Sequence, residues 1–424
     1  VCRVNKICRR IATPLLYRDV ELPGAADIPD WKRYKCNVKL FFRTILEDPS
    51  LAQLVRRLKV EYHGSSETSN QICDDRRIDV LRPAVCALLR TLPLSDESQN
   101  RITMRALVHY DDAMLAILIP LCSNLDYLDL TIFEHPHNLT GSPLMRTVDE
   151  IVNSVEGTNY FSRLETIKLR QSHAAPSLEE EPSFQPSEGF RLIDVNALLR
   201  LPALKNVRCR SVGGREWIPF RDASDLTAPI LSSSIVSMHL TSSIVSAKEI
   251  AEALRALPSL REFKFTEREA SFLDLDHGEV FDALRLHGRK LKVLQFHACN
   301  VGGPPGDLKP LTRLKELSIA QRSLLGSYDP NIAPEDIPEL TDVLPEALTK
   351  VKIIPFRRSY PLADFFAPLQ PEDDWDNPRH ALTDFGKVFD ERVVRLCRDA
   401  KFEKLGKVTL RRSDDIEAGL VPQG

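Results

Sequence analysis

The residues best placed to do chemistry in this sequence are two pairs of cations, Lys168 with Arg170 and Arg208 with Arg210. Within each pair one apolar residue separates the charges, and residues two apart in a β-strand point to the same side. Each pair would therefore present two positive charges on one face. Guanidinium groups bind carboxylates and phosphates through paired hydrogen bonds, so the spacing predicts a site for an acidic or phosphorylated peptide.

A column of such positions runs along the chain, one in each of ten short apolar segments. Five of its members are Lys or Arg and one is acidic: Lys59, Asp129, Lys168, Arg208, His239, Lys264, Gln295, Ser318, Lys352 and Thr409. The predicted target-binding residues are Lys168, Arg170, Arg208, Arg210, His239, Lys264 and Lys352. The alternative is an ordinary solvated face, whose cations pair with the neighbouring acids Glu165, Glu262 or Glu316.

The segments that must position this column share the pattern apolar-x-x-apolar-x-apolar. Its last two apolar positions alternate as in a half-buried strand, and the first marks an entry turn. The ten segments are Val55–Val60, Leu125–Leu130, Leu164–Leu169, Leu204–Cys209, Ile235–Leu240, Leu260–Phe265, Leu291–Phe296, Leu314–Ile319, Leu348–Ile353 and Leu405–Leu410. An eleventh strand is predicted at Ile102–Val108.

Helical stripes precede most of the strands. In "KEIAEALRALPSL", Ile250, Ala253, Leu254 and Leu257 follow the spacing i, i+3, i+4 and i+7 of one helix face. No single helix–turn–strand unit can bury both its stripe and its strand face, so neighbouring units must stack. The sequence predicts an α/β solenoid with a parallel sheet on its concave side, which carries the column, and helices on its convex side.

This pattern resembles leucine-rich repeats. The segment Leu291-x-x-Leu294-x-Phe296-x-x-Cys299-x-Val301 fits the family consensus, while other units are degenerate and suggest irregular repeats. The predicted organisation is a solenoid over residues 51–412 with loops at 172–189, 211–229 and 355–380, and a tail at 413–424. Residues 23–50 form a connecting segment with a first helix.

The first 22 residues, "VCRVNKICRRIATPLLYRDVEL", match nothing in these repeats. Their apolar residues Val1, Val4, Cys8 and Ile11 form one helical stripe among basic neighbours. We expect Pro14 to stop the helix, and a short strand to follow over residues 19–22.

The same 22 residues resemble the last third of an F-box. On that resemblance the residues that form the helix core or border a Skp-type adaptor are Val4, Cys8, Arg9 and Ile11, and the closing segment is Leu15, Leu16 and Tyr17. Cys8 stands where the family more often has an aromatic residue. The family's upstream Leu-Pro-x-Glu contact is absent, so this chain alone is expected to bind the adaptor poorly. The alternative is a plain N-terminal cap on the first repeat.

Composition and motifs exclude several classes of function. With 57 Lys and Arg against 60 Asp and Glu, the chain has a net charge of only -3, which gives no bulk attraction to nucleic acid or membranes. Nine cysteines without a Cys-x-x-Cys pair favour reduced thiols, in the cytoplasm or nucleus. The longest apolar run, residues 113–122, is too short to span a bilayer. Without a phosphate-binding loop, metal cluster or nucleophile motif, we expect no catalysis and no cofactor.

The two resemblances together imply a substrate-recognition subunit of an SCF-type ubiquitin ligase. A complete F-box would bind the Skp-type adaptor and cullin, and the repeats would hold a target protein. Two alternatives stay open at this point. One is a leucine-rich-repeat scaffold without any link to ubiquitin, and the other is a repeat-built GTPase activator with Arg357 or Arg358 as its finger.

Overall fold

A computed structural model of the chain shows two compact units, Val1–Val236 and Ser237–Gly424. The structure describes residues 6–23, 37–62, 78–107, 111–132, 143–154, 160–171, 196–213, 234–267, 275–298, 301–302, 307–325, 338–354, 391–402 and 404–410. The predicted loops 172–189 and 355–380, most of loop 211–229, and Cys299 therefore lie outside the described residues.

Five parallel strands form the sheet of the first unit, and they lie side by side in chain order. They are β1 (Asp19–Leu22), β2 (Arg57–Tyr62), β3 (Tyr127–Ile132), β4 (Thr166–Gln171) and β5 (Asn206–Arg210). The helices are α1 (Lys6–Arg18), α2 (Asn37–Glu47), a 3-10 helix (Pro49–Leu54), α3 (Ile78–Leu89), α4 (Asp96–Leu107), α5 (Asp111–Leu121), α6 (Pro143–Asn153) and α7 (Asn196–Leu199). Successive helices from α2 to α7 pack against one another, and α2 also packs against α5.

The second unit repeats this arrangement with six parallel strands in chain order. They are β6 (Ser237–Ser243), β7 (Glu262–Glu267), β9 (Val293–His297), β11 (Glu316–Ala320), β12 (Lys350–Ile354) and β13 (Lys407–Leu410), while β8 (Leu275–Asp276) pairs separately with β10 (Val301–Gly302). The helices are α8 (Ala247–Ala256), α9 (His277–His287), α10 (Gln321–Leu325), α11 (Leu340–Val343), a helix at residues 391–398 and a 3-10 helix (Ala400–Phe402).

The ten predicted segments all form parallel strands, and their apolar positions build the cores of the two units. In the first nine segments every one of the three apolar residues is at most 4% exposed. The first apolar residue enters from a tight turn, as predicted: the Leu164 N–H, for example, donates to the Phe161 carbonyl at 3.2 Å. Adjacent strands are parallel and in register, so the buried apolar positions of one strand lie beside those of the next. The residues between them therefore all point to the opposite, polar side of the sheet.

The predicted strand at Ile102–Val108 is wrong, because residues 96–107 form helix α4. Its buried residues Ser98, Ile102 and Ala106 recur every four positions, the spacing of one helix face. Met104, which an alternating strand would have buried, is 56% exposed. The side chain of Thr103 donates to the Gln99 carbonyl one turn earlier, a bond that only a helix allows.

The expected helix stop at Pro14 is also wrong. Helix α1 runs from Lys6 to Arg18 with Pro14 inside it. Proline removes one backbone hydrogen bond but does not forbid a helix whose other side packs on neighbouring structure, and α1 packs against the 3-10 helix. The helix ends where the strand predicted at residues 19–22, β1, begins, and the Arg18 carbonyl there accepts the Arg56 N–H at 2.9 Å.

Candidate functional site

The polar face of the first unit is the sheet side opposite its buried columns. Register places Lys168 on β4 directly beside Arg208 on β5, and Arg170 directly beside Arg210. On β5 the apolar neighbours are buried while both arginines are exposed. The structure therefore brings the four cations of the two sequence pairs together on one face, as their spacing predicted.

Asp129 on β3 neutralises one of these four cations. Its Oδ1 accepts hydrogen bonds from the Nε and Nη2 atoms of Arg170 at 3.2 and 2.9 Å, and its Oδ2 accepts the Tyr127 hydroxyl at 3.2 Å. The Asp129 residue is only 4% exposed. A carboxylate so removed from water requires partners of this kind, so Arg170 is committed to Asp129.

Acids also hold the cations of β2. The Lys59 ammonium donates to the Glu21 carboxylate and lies 3.7 Å from that of Glu61. The hydrogen bond with Glu21 raises the pKa of Lys59 above its ordinary value. Arg57 lies 3.9 Å from Asp19 on β1. The first two strands therefore offer no free positive charge.

Lys168, Arg208 and Arg210 form no ion pair within the described part of the chain, and we call these three residues the cation cluster. The Lys168 ammonium lies 5.3 Å from the centre of the Tyr127 ring, whose other close cation is Arg57 at 4.6 Å. A ring face attracts an ammonium but does not neutralise it. The cation cluster is therefore a local positive patch on a nearly neutral molecule.

The remaining predicted cations lie in the second unit, where Glu262 pairs with two of them. Its carboxylate lies 2.6 Å from the Lys264 ammonium and 3.2 Å from the His239 Nε2. Burial raises the pKa of Glu262, but hydrogen bonds from Lys264 and Ser237 outweigh it, and the pKa is lowered overall. Within the described residues Lys352 forms no ion pair.

The alternative, in which Glu165, Glu262 or Glu316 neutralises the cations of the column, therefore holds only for those beside Glu262. Glu262 does neutralise strand cations, as that alternative required. Glu165 instead binds Lys205 at 2.6 Å, and Glu316 binds Lys350 at 3.3 Å, both outside the predicted set.

A chain of hydrogen bonds on β9 and β11 was not foreseen from the sequence. The Gln295 amide nitrogen lies 3.3 Å from the His297 Nδ1, and the His297 Nε2 lies 2.8 Å from the Ser318 hydroxyl oxygen. Because the amide nitrogen can only donate, Nδ1 accepts and Nε2 carries the proton that it donates to Ser318. A nucleophilic serine needs the reverse direction. Burial, together with the positive charge of Lys352, lowers the pKa of His297 to about 4. The hydrogen-bonded His297 and Ser318 side chains are therefore both neutral.

Helix α1 exposes three large apolar side chains. Ile11, Leu15 and Leu16 are 64%, 67% and 61% exposed. Cys8 is exposed as well, whereas the ring of Tyr17 stacks 6.5 Å from that of Phe41 on α2. Of the other predicted adaptor residues, Arg9 lies in α1 and Val4 falls outside the described residues.

No protein-family profile and no curated protein matches this chain. Across the described ranges, no helix is both long and apolar enough to cross a bilayer. No cluster of three or more His, Cys, Asp or Glu residues suited to a metal ion occurs among the residues that the structure describes.

Proposed function

We propose that the chain is the substrate-recognition subunit of an SCF-type ubiquitin ligase, built from irregular leucine-rich repeats. Helix α1 belongs to an F-box that docks a Skp-type adaptor and, through it, a cullin. The polar face of the sheet binds the target protein. Such a subunit needs no catalytic residue, because holding the target beside a charged ubiquitin carrier raises the effective concentration of its lysines.

The exposed apolar side of α1 is the observation that carries this proposal. Ile11 and Leu15 occupy positions i and i+4 of one helix, so they share a side, and Leu16 widens the exposed apolar surface next to Leu15. A run of large apolar residues exposed by more than half is typical of a surface that another protein covers. The resemblance of this helix to the end of an F-box names the adaptor as that protein.

The cation cluster supports the second half of the proposal, the binding of a target. Its charges stand on rigid strands and carry no counter-charge from the described residues. Preorganised Arg and Lys groups of this kind suit an acidic or phosphorylated segment of a partner.

Affinity capture of the complete natural protein from cells tests both halves. We expect the adaptor and cullin to be recovered, and an Ile11→Asp, Leu15→Asp variant to lose them while keeping the target proteins. The matched control is Met104→Asp, which changes an apolar residue on α4 that is also more than half exposed, and it should lose nothing.

An Arg208→Glu, Arg210→Glu variant should show the opposite result, keeping the adaptor and losing targets. Capture without adaptor or cullin from the unaltered protein would refute the ubiquitin role. Retention of every target by the arginine variant would refute the role of the polar face.

A scaffold without ubiquitin chemistry is the second candidate, and the packing of α1 favours it. The Tyr17 ring stacks on Phe41, and α1 packs on the 3-10 helix, as a terminal cap would. On this alternative the captured proteins include targets but neither adaptor nor cullin. The Ile11→Asp, Leu15→Asp variant would then leave the captured set unchanged.

A further inference from the structure

We infer that Asp129 sets the selectivity of the polar face: by holding Arg170, it leaves a compact cluster of three cations that takes a doubly charged phosphate group in preference to a run of carboxylates. This inference rests on the proposed target-binding role of the face. It assigns a positioning role to a residue that the sequence placed only as the single acid of a basic column.

The size of the cation cluster follows from strand geometry. Lys168 and Arg208 are register partners on neighbouring strands, about 4.8 Å apart at their backbones. Arg208 and Arg210 lie two residues apart on one strand, about 6.6 Å. Both separations are within the reach of side chains as long as Lys and Arg. All three charged groups can therefore converge on one tetrahedral anion.

Asp129 bounds this cluster on the side of β3. It is the register partner of Lys168, so its carboxylate lies immediately next to the cluster. Two hydrogen bonds from Arg170 and one from Tyr127 hold that buried carboxylate, so Arg170 adds no free charge to the cluster. Positive charge is therefore confined to β4 and β5. Beyond Asp129, the acids of β1 and β2 already neutralise Lys59 and Arg57.

A phosphate dianion and an acidic peptide distribute their charges differently over the cation cluster. A phosphate monoester brings nearly two charges and three acceptor oxygens to one point, where three cations can share them. A run of carboxylates on an extended peptide spreads its charges about 6.6 Å apart on each side. Where such a run crosses to β3, its carboxylate meets the Arg170–Asp129 pair, which is already neutralised and offers no free cation.

The test compares two fluorescein-labelled peptide pools on the full chain by fluorescence anisotropy. One pool has a single fixed phosphoserine among randomised neighbours, and the other has a run of glutamates in its place. We expect the phosphoserine pool to bind at least about tenfold more tightly, and Arg208→Ala with Arg210→Ala to abolish that difference, since each lost charge-assisted contact costs at least this much.

Asp129→Asn is the decisive variant. It releases Arg170 as a fourth cation on the face, so the glutamate pool should gain about two- to fivefold in affinity, the range of an added exposed ion pair. The preference for phosphoserine should narrow accordingly. The control Glu165→Gln also removes one negative charge, from a residue that binds Lys205 outside the cluster, and should leave the preference unchanged.

A second variant covers the case in which Asp129→Asn unfolds the sheet. The double change Asp129→Asn with Arg170→Gln keeps the net charge and replaces the ion pair with two neutral side chains. It should bind the phosphoserine pool as tightly as the unaltered chain, because Arg170 takes no part in the cluster. Loss of that binding in a folded double variant would overturn the inference.

Other outcomes separate this inference from the proposed function. Equal binding of the two pools, binding of neither, or an unchanged preference in folded Asp129→Asn would each overturn the inference, even if adaptor and cullin are captured. Phosphoserine selectivity that Asp129→Asn weakens would support it, even if no adaptor is captured and the ubiquitin role fails.

Discussion

A half-buried carboxylate in the first turn of α8 makes the stability of the second unit depend on pH. Ser246 caps this helix: its side chain accepts the Glu249 N–H, and the Glu249 carboxylate accepts the Ser246 N–H. Burial, reinforced by Glu252 and opposed by the hydrogen bonds from Ser246, raises the pKa of Glu249 from 4.5 to about 7. The folded state therefore prefers the protonated acid.

The sign and size of the effect follow from this pKa. Because the folded pKa is raised, the protonated group stabilises the fold fully below pH 4.5, and that stabilisation is lost as the pH rises through about 7. A difference of about 2.5 pKa units corresponds to about 3 kcal/mol. Glu249→Gln keeps the capping geometry and cannot ionise, so it should raise the free energy of unfolding by up to about 3 kcal/mol above pH 7.

Urea unfolding followed by far-UV circular dichroism measures this at about pH 5 and about pH 8. The gain from Glu249→Gln should be small at the lower pH and large at the higher one. The control Glu279→Gln removes a carboxylate from the first turn of α9 and should cost about 0.3–1 kcal/mol through the helix dipole at both values. A gain from Glu249→Gln that is absent at the higher pH, or equal at both, would refute the raised pKa of Glu249.

Three further predictions concern the second unit. A Cβ at Gly288 would stand 2.6 Å from a backbone oxygen, so Gly288→Ala should lower the free energy of unfolding by about 1–3 kcal/mol in urea titrations. The control Gly406→Ala should be nearly neutral, because a Cβ there would stand 3.8 Å from the nearest atom. Phe296 is fully buried against two other rings, and Phe296→Ala should cost about 3–5 kcal/mol by the same assay, against less than about 0.5 kcal/mol for Leu286→Ala at an exposed site. The His297 ring, with its pKa lowered to about 4, should keep constant NMR shifts from about pH 5 to about pH 8; a midpoint near 6.5 would contradict its burial.

The strands could be predicted because their pattern repeats and each copy supports the others. Leu164, Ile167 and Leu169, for example, are fully buried at the three positions that the pattern marks. The strand prediction at residues 102–108 was wrong because their apolar side chains also alternate. Only tertiary packing decides between strand and helix there. The predicted helix stop at Pro14 was wrong because a proline in a helix has only a finite cost in stability, which the contacts of α1 outweigh.

The site was only partly predictable, because charge pairing depends on register between distant segments. Alternation alone placed Lys168, Arg208 and Arg210 on one face. That Asp129 takes Arg170, 41 residues later in the chain, follows from the alignment of β3 with β4 and from nothing local. The contact between His297 and Ser318 has the same origin, since their strands meet only in the folded sheet.

The charges of the first unit's polar face are sorted from one side to the other. In its first two strands, Asp19, Glu21 and Glu61 pair with the cations Arg57 and Lys59. Its fifth strand, about four strand spacings or roughly 19 Å from the first, carries Arg208 and Arg210 without an ion pair among the described residues. Such a separation gives the surface an electric moment that turns an approaching charged molecule before any contact forms. Added salt should therefore lower the association rate constant of an acidic binding partner more than it raises the dissociation rate constant.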